Sequence, residues 1–303
     1  MRVVSRSDTA GKRVLITGAS GFTGRYLAQQ LTDAGFKILT LDSHASSGAV
    51  TSVNLLDRKS LREALQDLQP ELVVHLAAIS FVAHGDVDEI YRVNVVGTRN
   101  LLEALADLPE VPSHVLLASS ANVYGNVGGV LAELSPLSPQ NDYAVSKMAM
   151  EAMASLWKSR LPLTIVRPFN YTGVGQTERF LIPKIVSHFR NRASVIELGN
   201  IDVSRDFYDV RCVASIYAQL LSMPALGEVY NVCSGAEWSL QQVLDALRGM
   251  SGHDIQVRIN PDFVRSNEVK SLRGSNRKLE AVLGGLPEFD FVSTLRWMYE
   301  AHA

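Results

Sequence analysis

The sequence predicts an α/β fold, with a doubly wound parallel sheet followed by a smaller C-terminal α/β domain. In the first half of the 303-residue chain, short runs of β-branched and aliphatic residues alternate with helical segments. Continuous apolar strands between helices are typical of a parallel sheet that is covered on both faces. Right-handed crossovers make such a sheet doubly wound. In the second half, prolines and glycines divide the chain into shorter elements.

The apolar runs and the segments between them predict the elements in order. Strands are predicted at Arg13–Thr17, Lys37–Leu41, Leu72–Leu76, His114–Ala118 and Leu163–Val166. Helices are predicted at Gly21–Asp33, Ser60–Leu68, Ile90–Ala106 and Tyr143–Ser159. We therefore expect a first domain at 1–167, with a flexible tail at 1–11. Residues 168–303 are expected to form mainly the second domain, with a segment near 205–235 returning to the first.

Composition excludes several classes of function. A formal net charge of -2 gives no electrostatic reason to expect nucleic acid or an acidic membrane as a partner. The longest apolar stretches are too short to span a bilayer. Cys212 and Cys233 are the only cysteines, and without a CxxC motif they predict neither a disulfide framework nor a zinc site. We expect a cytoplasmic protein without a metal.

The turn after the first predicted strand is rich in glycine. Gly18, Gly21 and Gly24 have the spacing G-x-x-G-x-x-G, which differs from the commoner G-x-G-x-x-G pattern. Glycines let the backbone turn tightly and approach a pyrophosphate, while the next helix offers N–H groups and its positive dipole end. Contacts to a dinucleotide are therefore expected at Gly18, Ser20, Gly21, Phe22, Thr23 and Gly24.

Asp42 lies at the tip of the second predicted strand. An acidic side chain there can accept hydrogen bonds from the adenosine ribose hydroxyls, and it would repel the additional phosphate of NADP. Arg25, directly after the last glycine, would instead attract that phosphate. The expected cofactor is NAD(P)(H), with NAD favoured by Asp42 and NADP left open. Asn54 and Leu55 are expected beside the adenine, and Ala77 and Ala78 where the backbone passes the cofactor.

Tyr143 and Lys147 are four residues apart in a predicted helix, which places them on the same face. A free tyrosine has a pKa of about 10, and a fixed cation nearby lowers it. A phenol tuned in this way can exchange a proton with an alcohol or ketone while a nicotinamide exchanges hydride. Together with the glycine turn, this pair predicts hydride chemistry.

Six motifs follow one another along the chain, namely Thr17–Gly24, His75–Ala78, Asn94–Thr98, Ser119–Gly125, Tyr143–Lys147 and Arg167–Asn170. These motifs and their order resemble the extended short-chain dehydrogenases/reductases that act on nucleotide sugars. The resemblance covers the chain from about Lys12 to Arg167 and implies a Rossmann fold for the dinucleotide-binding part. The resemblance also implies cofactor contacts at Leu76, Arg167 and Pro168, and a homodimer.

The resemblance implies four catalytic residues. Tyr143 would be the general acid or base, and Lys147 would hold the nicotinamide ribose and lower the tyrosine pKa. Ser120 would hydrogen-bond the sugar oxygen at the reacting carbon. Asn94 would orient the central helix or a proton-relay water. Dehydratases of the family carry an acidic residue two places after the Ser120 position, whereas this chain has Asn122, which has no ionisable base. A 4,6-dehydratase is therefore not expected.

In the C-terminal half, residues 199–210, 229–235 and 265–269 are similar to the GDP-6-deoxy-D-mannose reductases of this family. That similarity implies NAD(P)H-dependent reduction of the C4 ketone of a GDP-4-keto-6-deoxy-hexose, from GDP-4-keto-6-deoxy-D-mannose to GDP-D-rhamnose. It also implies that Arg205 and Arg265 bind the diphosphate and that Glu268 binds the nucleotide ribose. Contacts to the substrate are implied at Ser80, Phe81, Ser120, Asn122, Asn170, Arg205, Arg265 and Glu268.

Two other functions stay open at this point. A nucleotide-sugar 4-epimerase would use the same residues with a tightly bound NAD. A dinucleotide-sensing regulator is disfavoured because the chain retains Ser120, Tyr143 and Lys147. The residues do not separate rhamnose from 6-deoxy-talose as the product, nor do they identify the nucleotide base.

Overall fold

The computed structural model describes residues 11–43, 51–80, 85–225, 227–264 and 269–301. The chain divides into two compact units. The first consists of residues 1–125, 136–168 and 214–230, and the second of residues 126–135, 169–213 and 231–303. Three of the predicted site residues, Phe81, Arg265 and Glu268, lie outside the described residues, as does most of the predicted tail.

A seven-stranded sheet is the centre of the first unit in the described part of the chain. Its strands are β1 (Arg13–Thr17), β2 (Lys37–Asp42), β3 (Thr51–Ser52), β4 (Leu72–His75), β5 (His114–Ala118), β7 (Leu163–Pro168) and β12 (Val229–Val232). Their order is β12-β7-β5-β4-β1-β2-β3, and the pairs from β7 to β3 are parallel. The order reverses between β1 and β4. The predicted doubly wound parallel sheet is confirmed.

Helices connect these strands. They are α1 (Phe22–Asp33), α2 (Arg58–Leu68), α3 (Val87–Tyr91), α4 (Thr98–Ala106), α5 (Asp142–Ser155) and, from residue 214 onward, α7 (Val210–Leu221). Apolar side chains of α2, α4 and α5 pack against one face of the sheet, where Leu65, Leu101 and Met150 are almost fully buried. Removing such side chains from water is the main favourable term in forming this core.

Several of the predicted boundaries differ from the structure. The helix predicted at Ile90–Ala106 begins at Val87 and contains a π-helical turn at Arg92–Gly97, in which Asn94 bonds to neighbouring segments. The strand predicted to end at Val166 continues to Pro168. The helix predicted to reach Ser159 ends at Ser155. Helix ends are commonly misplaced by sequence patterns, because fraying and tertiary contacts decide them.

The strands of the second unit that the structure describes are shorter and form one mixed sheet and two parallel pairs. One sheet has the order β13-β10-β15-β6, and it is formed by β6 (Gly129–Leu131), β10 (Ser204–Arg205), β13 (Trp238–Ser239) and β15 (Ser271–Gly274). Two parallel pairs are β8 (Asn170–Thr172) with β11 (Phe207–Asp209), and β9 (Val195–Leu198) with β14 (Gln256–Ile259). The helices are α6 (Leu181–Arg190), the start of α7, α8 (Leu240–Ser251), α9 (Arg277–Leu283) and α10 (Phe291–Glu300). The predicted smaller α/β part is confirmed.

The core of the second unit lies between α6, α8 and α10. Phe189, Val243 and Leu295 are fully buried there. Within the described ranges, no helix combines the length and the apolar character that crossing a bilayer requires.

Candidate active site

The carboxyl ends of β1, β4 and β5 lie at one edge of the first unit's sheet. The register pairs Thr17 with His75 and His75 with Leu117, so the residues that follow these strands emerge side by side. In open α/β sheets, ligands bind outside the carboxyl ends of the strands where the strand order reverses. This edge is therefore the candidate active site.

The glycine turn lies between β1 and α1 and packs closely on the segment after β4. Gly18 has φ +73°, and a Cβ there would lie 2.8 Å from the backbone nitrogen of Ala77. A Cβ at Gly24 would lie 2.3 Å from the Gly18 carbonyl oxygen. Only glycine fits these two positions. Ser20, Gly21, Phe22 and Thr23, the other predicted contacts of this turn, lie between them.

This turn fits the pyrophosphate of a dinucleotide. Helix α1 begins at Phe22 with Gly21 as its N-cap, and no side chain caps it within the described residues. A helix N-terminus presents backbone N–H groups and a positive partial charge, which favour an anion. Because side chains are absent from Gly18, Gly21 and Gly24, the backbone can approach such an anion closely.

Asp42 is fixed beside the glycine turn. It is 7% exposed, and its Oδ2 accepts a hydrogen bond of 3.0 Å from the backbone N–H of Ser20. The backbone oxygen of Asp42 accepts from Val53 N, so the Asn54–Leu55 segment begins next to this strand end. Asn54 is exposed and Leu55 is buried. The residues predicted for the adenosine half of the cofactor are thus near one another.

His75 is a buried neutral imidazole that ties β4 to β1 and α4. Its Nδ1 lies 2.7 Å from Thr17 Oγ1, and its Nε2 lies 2.8 Å from Thr98 Oγ1. Thr98 Oγ1 also donates to the Asn94 carbonyl oxygen, which assigns the imidazole proton to Nε2. Burial lowers the pKa of His75 to about 3, and the charge of Lys147 adds to this shift.

Asn94 connects the loop after β4 to α5. Its Oδ1 accepts from Ile79 N at 2.8 Å, and its Nδ2 donates to Ile79 O and to Ser146 Oγ. These bonds link the loop to α5 through one side chain, and the orienting role predicted for Asn94 stays a prediction. Ile79 follows Leu76, Ala77 and Ala78, which are half-buried, and precedes Ser80, which is exposed.

Lys147 and Tyr143 are both buried on α5, which begins after Asn141 as its N-cap. Lys147 Nζ donates a hydrogen bond of 2.8 Å to the carbonyl oxygen of Ala118, the last residue of β5. Burial lowers the pKa of Lys147 to about 8, and the negative charge of Glu151 opposes that shift. The amine therefore keeps its proton at neutral pH despite its burial.

Ser120 follows β5 by two residues and caps a short 3₁₀ turn at Ala121–Tyr124. Its Oγ accepts from Asn122 N at 3.1 Å, and Ser120 is 7% exposed. The side chain of Asn122 is exposed. Because Lys147 binds Ala118 O, the helix of the predicted acid or base and the turn of the predicted sugar contact are joined at one strand end.

Glu151, which sequence analysis missed, lies one turn after Lys147. Its carboxylate binds Arg167, with Arg167 Nε at 2.9 Å from Oε1 and Nη2 at 2.6 Å from Oε2. Arg167 Nη1 also donates to Tyr124 OH at 3.0 Å. The Arg167 guanidinium is thus directed to partners within the first unit. The cofactor contacts at Arg167 and Pro168 stay a prediction.

Asn170 and Arg205, the predicted substrate residues of the second unit that the structure describes, lie in β8 and β10. Asn170 is exposed, and its Nδ2 donates to Asp206 O at 3.4 Å. Arg205 is half-buried, and its Nη1 donates to Ser204 O at 2.8 Å. The Asp206 carboxylate accepts from the backbone N–H groups of Ser234, Gly235 and Gly274. Asp206, also missed by sequence analysis, anchors the segments next to Arg205.

Comparisons with known proteins agree with this geometry. The model of the NAD dependent epimerase/dehydratase family matches residues 14–233, which is more than two thirds of the chain. The chain belongs to that family. The predicted membership of the extended short-chain dehydrogenases/reductases that act on nucleotide sugars is thereby confirmed, and so is the expected use of NAD(P)(H).

Two relatives match nearly the whole chain. One is GDP-6-deoxy-D-talose 4-dehydrogenase of Aggregatibacter actinomycetemcomitans, 34% identical over 95% of this chain and 97% of that protein. The other is GDP-6-deoxy-D-mannose reductase of Pseudomonas aeruginosa, also 34% identical, over 94% of this chain and 95% of that protein.

Two solved structures extend the family comparison. A putative epimerase from Burkholderia cenocepacia has a TM-score of 0.90 and 48% identity, and the match covers 96% of this chain and 98% of that chain. RMD from Pseudomonas aeruginosa, solved in complex with NADPH, has a TM-score of 0.84 and 32% identity, over 96% and 97% of the two chains.

Proposed function

We propose that this enzyme reduces the C4 ketone of a GDP-4-keto-6-deoxy-hexose. The substrate that we propose is GDP-4-keto-6-deoxy-D-mannose, and the product is GDP-D-rhamnose. The observation that carries the proposal is the bond from Lys147 Nζ to Ala118 O, which joins the helix of Tyr143 to the strand end that precedes Ser120. The two 34% identical relatives support the substrate class, since both are named for GDP-6-deoxyhexoses.

Three residues of the chain have different roles in this reaction. When bound, NAD(P)H supplies the hydride that adds to the ketone carbon. Tyr143 donates its phenolic proton to the ketone oxygen, so that the product is the neutral alcohol. Ser120 donates a hydrogen bond to the same oxygen while negative charge develops on it. Lys147, buried and charged, stabilises the phenolate left on Tyr143.

The absence of a carboxyl group at Asn122 supports reduction rather than dehydration. Abstraction of a ring proton needs a base, and an amide side chain has none. The exposed side chain of Asn122 is instead available to hydrogen-bond a sugar hydroxyl.

We assign the remaining predicted residues to the GDP-sugar. Arg205 and Arg265 would bind the diphosphate, because a guanidinium offers a rigid fork of donors. Glu268 would accept from the ribose, and Ser80, Phe81 and Asn170 would face the sugar. We also propose that the enzyme is cytoplasmic and forms a homodimer.

For the cofactor we propose a preference for NADH. The Asp42 carboxylate is held beside the glycine turn by Ser20, and an anion there repels a 2′-phosphate. Asp42→Ala should lower kcat/KM for NADH and raise it for NADPH. A wild-type enzyme that favours NADPH, as the ligand of the RMD structure would suggest, contradicts this preference.

A nucleotide-sugar 4-epimerase is the second candidate. It is favoured by the 48% identity to a putative epimerase and by Asp42, which suits a retained NAD. An epimerase would return the hydride to the opposite face of the same carbon and consume no net NADH. Purification with stoichiometric NAD, and interconversion of C4 epimers without added cofactor, would support this candidate.

The decisive experiment incubates the enzyme with GDP-4-keto-6-deoxy-D-mannose and either NADH or NADPH, and identifies the product by NMR. Consumption of the reduced cofactor with formation of GDP-D-rhamnose supports the proposal. Formation of GDP-6-deoxy-D-talose would retain the reaction and correct its stereochemistry. No consumption with either cofactor, in a protein that binds both substrates, would reject it.

A further inference from the structure

The turn that carries Ser120 is held at both of its ends by one buried ion pair. At the start of the turn, Ser119 Oγ donates a hydrogen bond to Glu151 Oε1. At its end, Tyr124 OH accepts from Arg167 Nη1 at 3.0 Å. Glu151 and Arg167 bind each other, so these four side chains form a closed bridge beneath the turn.

The bridge lies in the interior of the first unit. The side chains of Arg167 and Glu151 are 6% and 9% exposed, and Tyr124 is fully buried. The Arg167 guanidinium also lies over the Tyr124 ring, 5.0 Å from its centroid. An ion pair at this depth costs desolvation, which only good geometry and further hydrogen bonds offset. The bonds to Ser119 and Tyr124 are these further hydrogen bonds.

Glu151, one member of this bridge, lies on the same face of α5 as the predicted catalytic residues. Tyr143, Lys147 and Glu151 follow one another at intervals of four on α5, and therefore share a face. Lys147 binds the carbonyl oxygen of Ala118, the last residue of β5, and Glu151 binds the hydroxyl of the next residue, Ser119. Two successive turns of α5 therefore contact the two residues that directly precede Ser120.

We propose that Glu151 and Arg167 are positioning residues that hold the Ser120 turn in register with Tyr143 and Lys147. The effect of this positioning on turnover rests on the proposed function. Fold stabilisation alone would not require the pair to bind the residues at both ends of this one turn. A displacement of Ser120 by about 1 Å would be enough to lower turnover roughly 100-fold.

The first test measures amide hydrogen exchange in the turn and needs no substrate. The amides of Asn122, Val123 and Gly125 are hydrogen-bonded within the turn, to Ser120 Oγ, Ser120 O and Asn122 O. Ser119→Ala and Tyr124→Phe each release one end without leaving an unpaired ion. We expect faster exchange at these amides in both variants. Ser60→Ala is the matched control, because it removes a hydroxyl bond to the exposed Asp57 carboxylate of α2.

The second test measures kinetics with the GDP-keto-sugar. In Ser119→Ala and Tyr124→Phe we expect kcat to fall about 10- to 100-fold while KM for the cofactor stays within about twofold. Ser119→Thr, which keeps the hydroxyl, should restore most of kcat. Glu151→Gln combined with Arg167→Met should be no more active than Tyr124→Phe, because it also removes the hydrogen bond from Arg167 to Tyr124.

The outcomes separate the two proposals. Unchanged exchange at Asn122, Val123 and Gly125 in both single variants would overturn the positioning role. Faster exchange with unchanged kcat would also overturn it, since the turn would then be held for stability alone. A wild-type enzyme without turnover would reject the proposed function, and exchange alone would then decide whether the pair holds the turn.

Discussion

Glu151 in the first unit and Asp206 in the second are both buried carboxylates, but their partners differ in kind. Glu151 binds the guanidinium of Arg167 and the hydroxyl of Ser119. Asp206 has backbone N–H donors and the Ser234 hydroxyl, and burial raises its pKa although these hydrogen bonds oppose the shift. The first arrangement fixes side chains around the predicted catalytic turn. The second fixes backbone segments around the predicted diphosphate contact.

This contrast suggests that the first unit determines turnover and the second determines substrate affinity. In the first unit, Tyr143 and Lys147 are buried on a helix that is tied to the strand end. In the second, Asn170 is exposed and Arg205 is half-buried, both on short strands beside Asp206. Substitutions in the two units should therefore affect different kinetic constants.

The largest effect is expected from Tyr143→Phe. Losing the general acid should lower kcat by about 10²- to 10⁴-fold, while cofactor binding and the melting temperature stay near those of the wild type. Steady-state kinetics, cofactor titration and thermal unfolding measure these quantities. Tyr91→Phe is a matched control, because it removes a phenol that donates to Asp142 and has no proposed part in the reaction. Equal turnover in Tyr143→Phe and wild type would contradict the assignment.

The two buried carboxylates should also differ in their effect on stability. Glu151→Gln leaves Arg167 buried without a counter-ion and should lower the free energy of unfolding by about 3–5 kcal/mol. Asp206→Asn keeps one acceptor but turns an amide NH₂ toward backbone donors, which should cost about 1–3 kcal/mol. Urea unfolding measures both.

The surface pair of Arg58 and Glu103, whose side chains are 56% and 24% exposed, provides the control for this comparison. Glu103→Gln should change the free energy of unfolding by about 1 kcal/mol or less. A loss in Asp206→Asn that exceeds the loss in Glu151→Gln would show that backbone anchoring, and not charge pairing, is the stronger constraint.

Sequence patterns predicted the first unit well because its signals are local. An apolar run, a glycine turn and a terminal aspartate identify β1, α1 and β2 without knowledge of their neighbours. The π-helical turn at Arg92–Gly97 was missed because it depends on hydrogen bonds from Asn94 to Ile79 and Ser146. These partners are 15 and 52 residues away.

The same reasoning explains the missed site residues. Glu151 has a visible spacing from Lys147, but its partner Arg167 lies on β7, and only the folded sheet brings them together. The second unit also depends on pairings between distant parts of the chain. For example, β15 pairs with β6, which places Arg273 opposite Val130. No local pattern indicates a pairing across that distance. The predicted second-domain contacts therefore depended on family resemblance.

The charge of Lys147 should be visible in the pH dependence of the reaction. Burial lowers its pKa from 10.5 to about 8, so the ammonium is present below that pH and is lost above it. We expect kcat to fall as pH rises through about 8, toward tenfold per unit if the charged form is required. Lys147→Arg should remove this alkaline limb, whatever its maximal rate, because arginine stays protonated. An unchanged limb in Lys147→Arg would assign it to another group.

The smallest effect is expected at Arg205, in the second unit. Its guanidinium is held by Ser204 O, next to the anchored Asp206. Loss of a charged hydrogen bond to a diphosphate should raise KM for the GDP-sugar about 10-fold in Arg205→Ala, with little change in kcat. Arg205→Lys should recover only part of this, because an ammonium lacks the planar fork. A fall in kcat at unchanged KM would place Arg205 with the turnover-determining residues of the first unit and break the proposed division between the units.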